Sequence, residues 1–298
     1  KEMIKNFIGN KHKNLKIRYV EQKHHLGTGN ALFIVKNYIK NEFISLHGDD
    51  IYSREDFRNV VKNKYSILVD KIKNPESFGV IVQRNGILTD LIEKPKKFVS
   101  NLVNTGLYKL DKKIFQLLKQ IKKSKRNEYE LTDAIKNLSK KEKIHCVKAN
   151  QWLPIGHAWD LLKADKSLRK NKNILGKNSK IYGIVRNSSI GDNCIVKGVV
   201  KNSIIMDKTI IDKNSIVEDS VIGENVYFRG KILAKNGVFS IINNKKIKAD
   251  RLGTIIGDNS RLFNVTINPG CKIWPGKTIS DRIIKSDLMQ WKKDINRR

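Results

Sequence analysis

Residues 187–196 read Asn-Ser-Ser-Ile-Gly-Asp-Asn-Cys-Ile-Val, and the phrase returns through the second half of the chain. Its centre, Ile190-Gly191-Asp192-Asn193, has counterparts in Leu175-Gly176-Lys177-Asn178, Ile205-Met206-Asp207-Lys208, Ile222-Gly223-Glu224-Asn225 and Ile256-Gly257-Asp258-Asn259. The Asn187-Ser188 step is matched by Asn202-Ser203 and Asp219-Ser220, and Val196, Ile211 or Phe228 follows six places after the leading Ile. The central copies recur every ~15–17 residues, the span of one coil of hexapeptide units. Each aliphatic is expected to point inward onto its equivalent one coil away. Gly-Asp-Asn supplies the corner, where Gly and Asn tolerate left-handed backbone. A β-sandwich also has short strands and turns, but it does not ordinarily repeat the same corner at one period. The pattern therefore predicts a parallel β-helix over 174–282. The tail, 283–298, reads as a short amphipathic helix capping its open end.

Upstream of Lys172 the character changes, with strands alternating with helical patterns, which predicts a mostly parallel sheet. Lys16–Leu32, KIRYVEQKHHLGTGNAL, reads as a strand, a loop closing on Gly27-Thr28-Gly29, and a helix from Asn30 to Ile39. Glycines at such a junction let backbone N–H groups approach a ligand. Phe43 to Leu46 is a short strand ending in His47-Gly48-Asp49-Asp50. Carboxylates at the end of an α/β strand sit where such sheets bind ligands, and an Asp there suits Mg²⁺, although Gly-Asp-Asp is equally good turn chemistry. Strands follow at Tyr65–Val69, Val80–Val82 and Ile87–Glu93, then helices from about Asp111 to Lys122, from Asn127 onward, and from Ala158 to Leu168.

Composition bounds the function. The 298 residues suffice for two cores, and 39% hydrophobic with 30% charged residues describes a globular chain. No apolar run approaches the ~18 residues of a membrane span. Cys146, Cys194 and Cys271 form no CxxC pair, so neither a disulfide framework nor a zinc ribbon is indicated, and a reducing cytoplasm fits best. The net charge of +31 invites a nucleic-acid reading. Yet lysine is spread along the whole length, without an aromatic–basic platform or helix-turn-helix cue, so no nucleic-acid partner is expected.

Taken together, these stretches resemble the sugar-1-phosphate nucleotidylyltransferases that carry a C-terminal left-handed β-helix. That group includes archaeal-type thymidylyl- and uridylyltransferases and the bifunctional N-acetylglucosamine-1-phosphate uridylyltransferase/glucosamine-1-phosphate acetyltransferases. The resemblance implies an α/β Rossmann-like nucleotidyltransferase domain over 1–170, followed by the β-helix. It implies that Gln22, Gly27 and Thr28 bind the pyrimidine nucleotide and that Asp49 is the catalytic metal ligand for Mg²⁺. Gly79, Glu93, Lys94, Asn104, Thr105 and Thr132 would hold the sugar phosphate. The substrates would be UTP or dTTP and a sugar-1-phosphate. The chemistry would be in-line attack on the α-phosphorus, which needs positioning and charge neutralisation rather than a protein nucleophile. The β-helix would make a homo-oligomer, a trimer or a hexamer.

Three departures qualify this expectation. The family's opening Gly-rich loop, with its Arg and Lys, and the first strand are missing, so the chain is read as N-terminally incomplete and inactive. A regulatory or scaffold homologue that binds nucleotide-sugar is the alternative. In Trp152-Leu153-Pro154-Ile155-Gly156, Pro154 stands where relatives place a second metal-binding Asp, and Asp160 in the next helix is a poor stand-in. All six histidines (His12, His24, His25, His47, His145, His157) precede the β-helix, so its general base for acetyl transfer is absent and acetyltransferase activity is not expected.

Overall fold

The computed structural model describes residues 1–287 and divides into two compact units, Lys1–Trp152 and a second from Leu153 onward. In the first unit the elements are α1 (Glu2–Ile8), β1 (Lys11–His12), β2 (Leu15–Lys16), α2 (Thr28–Phe33), β3 (Phe43–Ser45), β4 (Ile51–Tyr52), α3 (Arg54–Val60), β5 (Ser66–Lys71), β6 (Gly79–Arg84), β7 (Ile87–Glu93), β8 (Leu102–Leu110), α4 (Ile114–Leu118), α5 (Leu131–Ser139) and β9 (His145–Lys148). Six strands make its sheet in the order β3-β8-β5-β9-β7-β6.

Several expectations for this unit are corrected. The sheet is mostly antiparallel: only β5 and β9 run parallel, while β3–β8, β5–β8, β6–β7, β6–β8 and β7–β9 are antiparallel. The reason is connection length. β6 and β7 are joined by the tight Asn85-Gly86 turn, both residues at positive φ, which leaves no room for the crossover a parallel pair requires. The strand expected after Lys16 does not form. Residues 17–22 are irregular, because a strand exists only where a neighbour completes its ladder. The helix from Asn30 to Ile39 is a shorter α2 plus a 3₁₀ turn at Lys36–Tyr38, and the one from Asp111 to Lys122 is reduced to α4.

α5 lays Leu131, Ala134, Ile135 and Leu138 on the sheet, an i, i+3, i+4, i+7 stripe. They join Ile67, Val69, Ile81, Leu91, Tyr108 and Leu110 in one apolar core. α3 begins with a capping box: the Asp56 amide donates to the Ser53 hydroxyl, and the Ser53 amide donates to the Asp56 carboxylate.

The second unit opens with helix α6 (Asp160–Leu168), whose first carboxylate accepts hydrogen bonds from the Gly156 and His157 amides. It continues as a parallel β-solenoid. Ile174, Ser189, Ile204, Val221, Ile255 and Lys272 pair in register, coil upon coil. Their inward neighbours Ile190, Ile205, Ile222, Ile256 and Ile273 form one buried column, and Val196, Ile211, Phe228, Leu262 and Ile279 form another. Both columns contain the aliphatics the repeat marked.

At the corners, Asn178, Asn193, Asn225 and Asn259 have φ between 53° and 58°. Their preceding glycines are not left-handed; they are needed for close approach. A Cβ on Gly191 would lie 2.3 Å from an oxygen of Asp207, the carboxylate that accepts the Asp192 amide. In a second, fully buried ladder Ser203 N–H donates to the Ser188 hydroxyl, Ser220 N–H to the Ser203 hydroxyl, and Thr254 N–H to the Ser220 hydroxyl.

Two features of this unit were not expected. Between the Val221 and Ile255 rungs an antiparallel hairpin pairs Lys235–Ile242 with Lys245–Leu252 across Asn243-Asn244. Of the tail helix expected over 283–298, Ile283–Ile284 is instead a strand on Arg261–Ile267, because the solenoid ladder offers it a partner; residues 288–298 lie outside the described residues.

Candidate active site

Two motifs far apart in the chain are stitched together by backbone. Gly29 N–H donates to Tyr129 O, Tyr129 N–H donates to Leu26 O, and Leu131 N–H donates to the Thr28 hydroxyl. Gly27 sits at φ 91°, where an L side chain is strained, and a Cβ there would lie 2.7 Å from Tyr129 O. Gln22 braces the same loop, its amide donating to Gly27 O at 3.1 Å and to Asn30 Oδ1 at 2.9 Å. The 22–30 loop and the start of α5 therefore form one body.

From α5 the contacts pass to the sheet. The Thr132 hydroxyl donates to Glu93 Oε2 at 3.3 Å, and Glu93 pairs across the ladder with Gly79. A Cβ on Gly79 would meet Glu93 Oε2 at 3.2 Å and Thr132 Cγ2 at 3.4 Å, so the glycine leaves the space these two close upon. Burial raises the Glu93 carboxyl above its ordinary range, and neighbouring Glu130 adds to the rise; Lys94 and Arg126 oppose it. Arg126 reaches Glu93 at 3.4 Å and Glu130 at 2.9 Å. Lys94 is exposed, at φ 44°, with its N–H donating to Phe78 O.

Asn104 is buried with both ends of its amide engaged: Nδ2 donates to Tyr108 Oη at 2.6 Å, and Oδ1 accepts from Gly106 N–H at 2.9 Å. Tyr108 is raised by burial, with the Glu93 charge contributing, which ties this pair to the same locality. Thr105 is fully buried and donates to Leu68 O. Its hydroxyl thus serves the sheet rather than a ligand.

His47 lies flat against Gly106, where a Cβ would fall 2.3 Å from Nδ1. Its basicity is raised first by Asp50, against the pull of burial, with Asp49 and Glu93 adding to the rise. Asp50 is itself held by Trp152 Nε1 at 2.9 Å. Asp49 is exposed. Among the described residues no group of three or more His, Cys, Asp or Glu forms a metal cage. One exposed carboxylate fits Mg²⁺, an ion that keeps several waters and takes phosphate oxygens rather than an all-protein shell.

Sequence reasoning missed His47, Tyr108, Arg126 and Glu130. The Asn104–Tyr108 spacing places both on one face of a strand, and Arg126 stands four before Glu130; these signals are legible only once the strand and turn are known.

A family model described as nucleotidyl transferase covers residues 1–171. The chain belongs to the nucleotidyl transferase family. It is 37% identical to the bifunctional protein GlmU of Methanocaldococcus jannaschii, over 99% of this chain and 85% of that protein. It is 31% identical to a bifunctional sugar-1-phosphate nucleotidylyltransferase/acetyltransferase of Sulfurisphaera tokodaii, over 89% of this chain and 80% of that one. A Bacillus anthracis structure assigned as a glucose-1-phosphate thymidylyltransferase superposes with a TM-score of 0.50 at 26% identity, covering 58% of this chain and 73% of that one. Because both relatives are named as bifunctional, the comparisons do not support the expectation, drawn from the histidine positions, that acetyl transfer is absent.

Proposed function

We propose that this nucleotidyl transferase joins UTP or dTTP to a sugar-1-phosphate, releasing pyrophosphate. The observation that carries the reading is the continuous contact from the Gly27–Gly29 loop through Thr132 to Glu93 and Gly79. It brings a glycine-lined loop beside a half-buried carboxylate. In this reading Gln22, Gly27 and Thr28 form the nucleotide side, and Glu93, Thr132 and Asn104 the sugar side, with Lys94 at the sugar's phosphate. Glu93 accepts hydrogen bonds from sugar hydroxyls in its ionised form. Thr105 acts through the strand that carries Asn104. Asp49 would hold Mg²⁺, which when bound offsets negative charge on the phosphates. The enzyme's own work is to align the sugar phosphate with the α-phosphorus and to exclude water.

The solenoid is proposed to assemble copies of the chain. Acetyl transfer on it would need a base other than histidine, since residues 174–284 contain none. No helix among the described residues is long and apolar enough to cross a membrane, and a cytoplasmic location is proposed with the substrates.

Calorimetry with UDP- and dTDP-sugars, alongside a pyrophosphate-release assay over a panel of triphosphates and sugar-1-phosphates, tests the reading. Binding that Glu93→Ala weakens at least tenfold is expected, and release of pyrophosphate decides between the enzyme and the inactivity read from the sequence. Binding without release favours a regulatory subunit, and no binding of either nucleotide-sugar overturns the proposal.

A further inference from the structure

The hairpin that interrupts the solenoid has two unlike faces. Val238, Ser240, Ala249 and Leu252 are buried, and Lys272 ties the hairpin down by donating from Nζ to the Ser240 hydroxyl and the Ile241 carbonyl. The opposite face is bare. Phe239 is 57% exposed and Ile241 52% exposed. Their cross-strand partners are Lys248 and Lys246, both exposed. Among the described residues neither lysine forms an ion pair. The result is an apolar knob with a cationic edge, hydrogen-bonded to Lys272 at its root.

The same unit carries the complement. A groove of about 380 Å³ runs over the Ile190, Ile204 and Met206 rungs and is edged by Asp207, Glu224 and Asp258, all exposed. None of the hairpin residues lines it. Asp207 and Asp258 each give one oxygen to a backbone N–H of the corner, and Glu224 pairs with Lys208. Ile204 and Met206 are the outward-facing apolar side chains of its floor, Ser189 lies beside them, and the rim is acidic.

We propose that the Phe239–Ile241 knob of one copy seats in the Met206 groove of a second copy, with Lys246 and Lys248 meeting the acids along its edge. Knob and groove are different surfaces of one chain, so the contact is head-to-tail and closes into a ring when the rotation permits. The apolar pair supplies the anchor, and the opposite charges set the register and exclude other pairings. This inference rests on the solenoid acting in assembly, but it names the contact.

The test measures molar mass by light scattering at several protein concentrations, with circular dichroism as a check on folding. The full chain is expected to form a closed oligomer that weakens as salt rises. Phe239→Asp should loosen it about tenfold or more, and Lys246→Glu with Lys248→Glu should do the same. Asp207→Asn with Asp258→Asn keeps the corner acceptors while removing charge, and should also weaken assembly. Adding Glu224→Lys to the Lys246→Glu, Lys248→Glu chain should recover part of the loss, a rescue no misfolded variant can show. An oligomer indifferent to both knob and groove variants overturns the named contact alone. A chain monomeric at every concentration overturns the assembly role as well.

Discussion

At Glu93, burial favours the protonated carboxyl while Arg126 favours the ionised one. If sugar binding needs the anion, the acid limb of activity lies above the ordinary carboxylate range. Removing the cation by Arg126→Gln should move that limb to higher pH, since the protonated form then persists further; a pH profile of kcat/KM with a limb that stays or falls contradicts this. His47 obeys the opposite sign. Its basicity is raised by Asp50, so the stability this pair adds is full below the unfolded imidazole range and fades as pH rises through the folded value. In Asp50→Asn, the NMR titration of His47 should shift downward. Ser66 offers a third residue-scale test. Its hydroxyl is buried with no hydrogen-bond partner among the described residues. Ser66→Ala should therefore leave stability unchanged or raise it by up to about 1 kcal/mol in urea melts; a loss beyond that range would reveal a partner.

Among the elements, the solenoid corner separates two requirements that the sequence shows as one motif. Gly191→Ala places a methyl 2.3 Å from Asp207, and the coil above cannot yield without losing the Asp192 amide bond. A cost of about 2–4 kcal/mol is expected. Asn193→Gly keeps the left-handed turn and should cost little, whereas Asn193→Ala should cost about 1 kcal/mol. Equal losses for all three variants in denaturant unfolding would show the corner argument to be wrong. The contrast also explains what was legible beforehand. Ile190, Ile205 and Ile222 announce their column because each coil solves the same packing problem with the same residues. The hairpin did not announce itself, because Val238, Ser240 and Ile242 alternate for only one strand's length. The sheet's antiparallel order was hidden for a related reason: strand pairing is a long-range choice, and only the Asn85-Gly86 turn marks one of its hairpins locally. The site residues Gly27, Glu93 and Thr132 were visible as motifs in order. Tyr108 and Arg126 were not, since their roles arise from a strand face and a turn that only folding creates.

For the molecule as a whole, charge is the dominant unspent quantity: 60 lysines and arginines stand against 29 acids, a net of +31. Such an excess favours solubility but destabilises compact states through self-repulsion. It also draws anions toward the protein. Salt at about 0.15 M screens beyond roughly 8 Å, so added salt should relieve repulsion spread over the surface. Ion pairs pull the other way, but some, such as Lys1–Glu21 and Lys208–Glu224, are exposed at both partners, and exposed pairs contribute about 0–1 kcal/mol each. Repulsion should win. Raising sodium chloride from low to physiological strength is therefore expected to lift the thermal midpoint by a few degrees, followed by circular dichroism in dilute protein. Lowering pH below the carboxylate range at low salt should do the reverse, because each protonated acid adds to the excess. A midpoint that falls with salt would mean that the specific pairs outweigh the distributed charge.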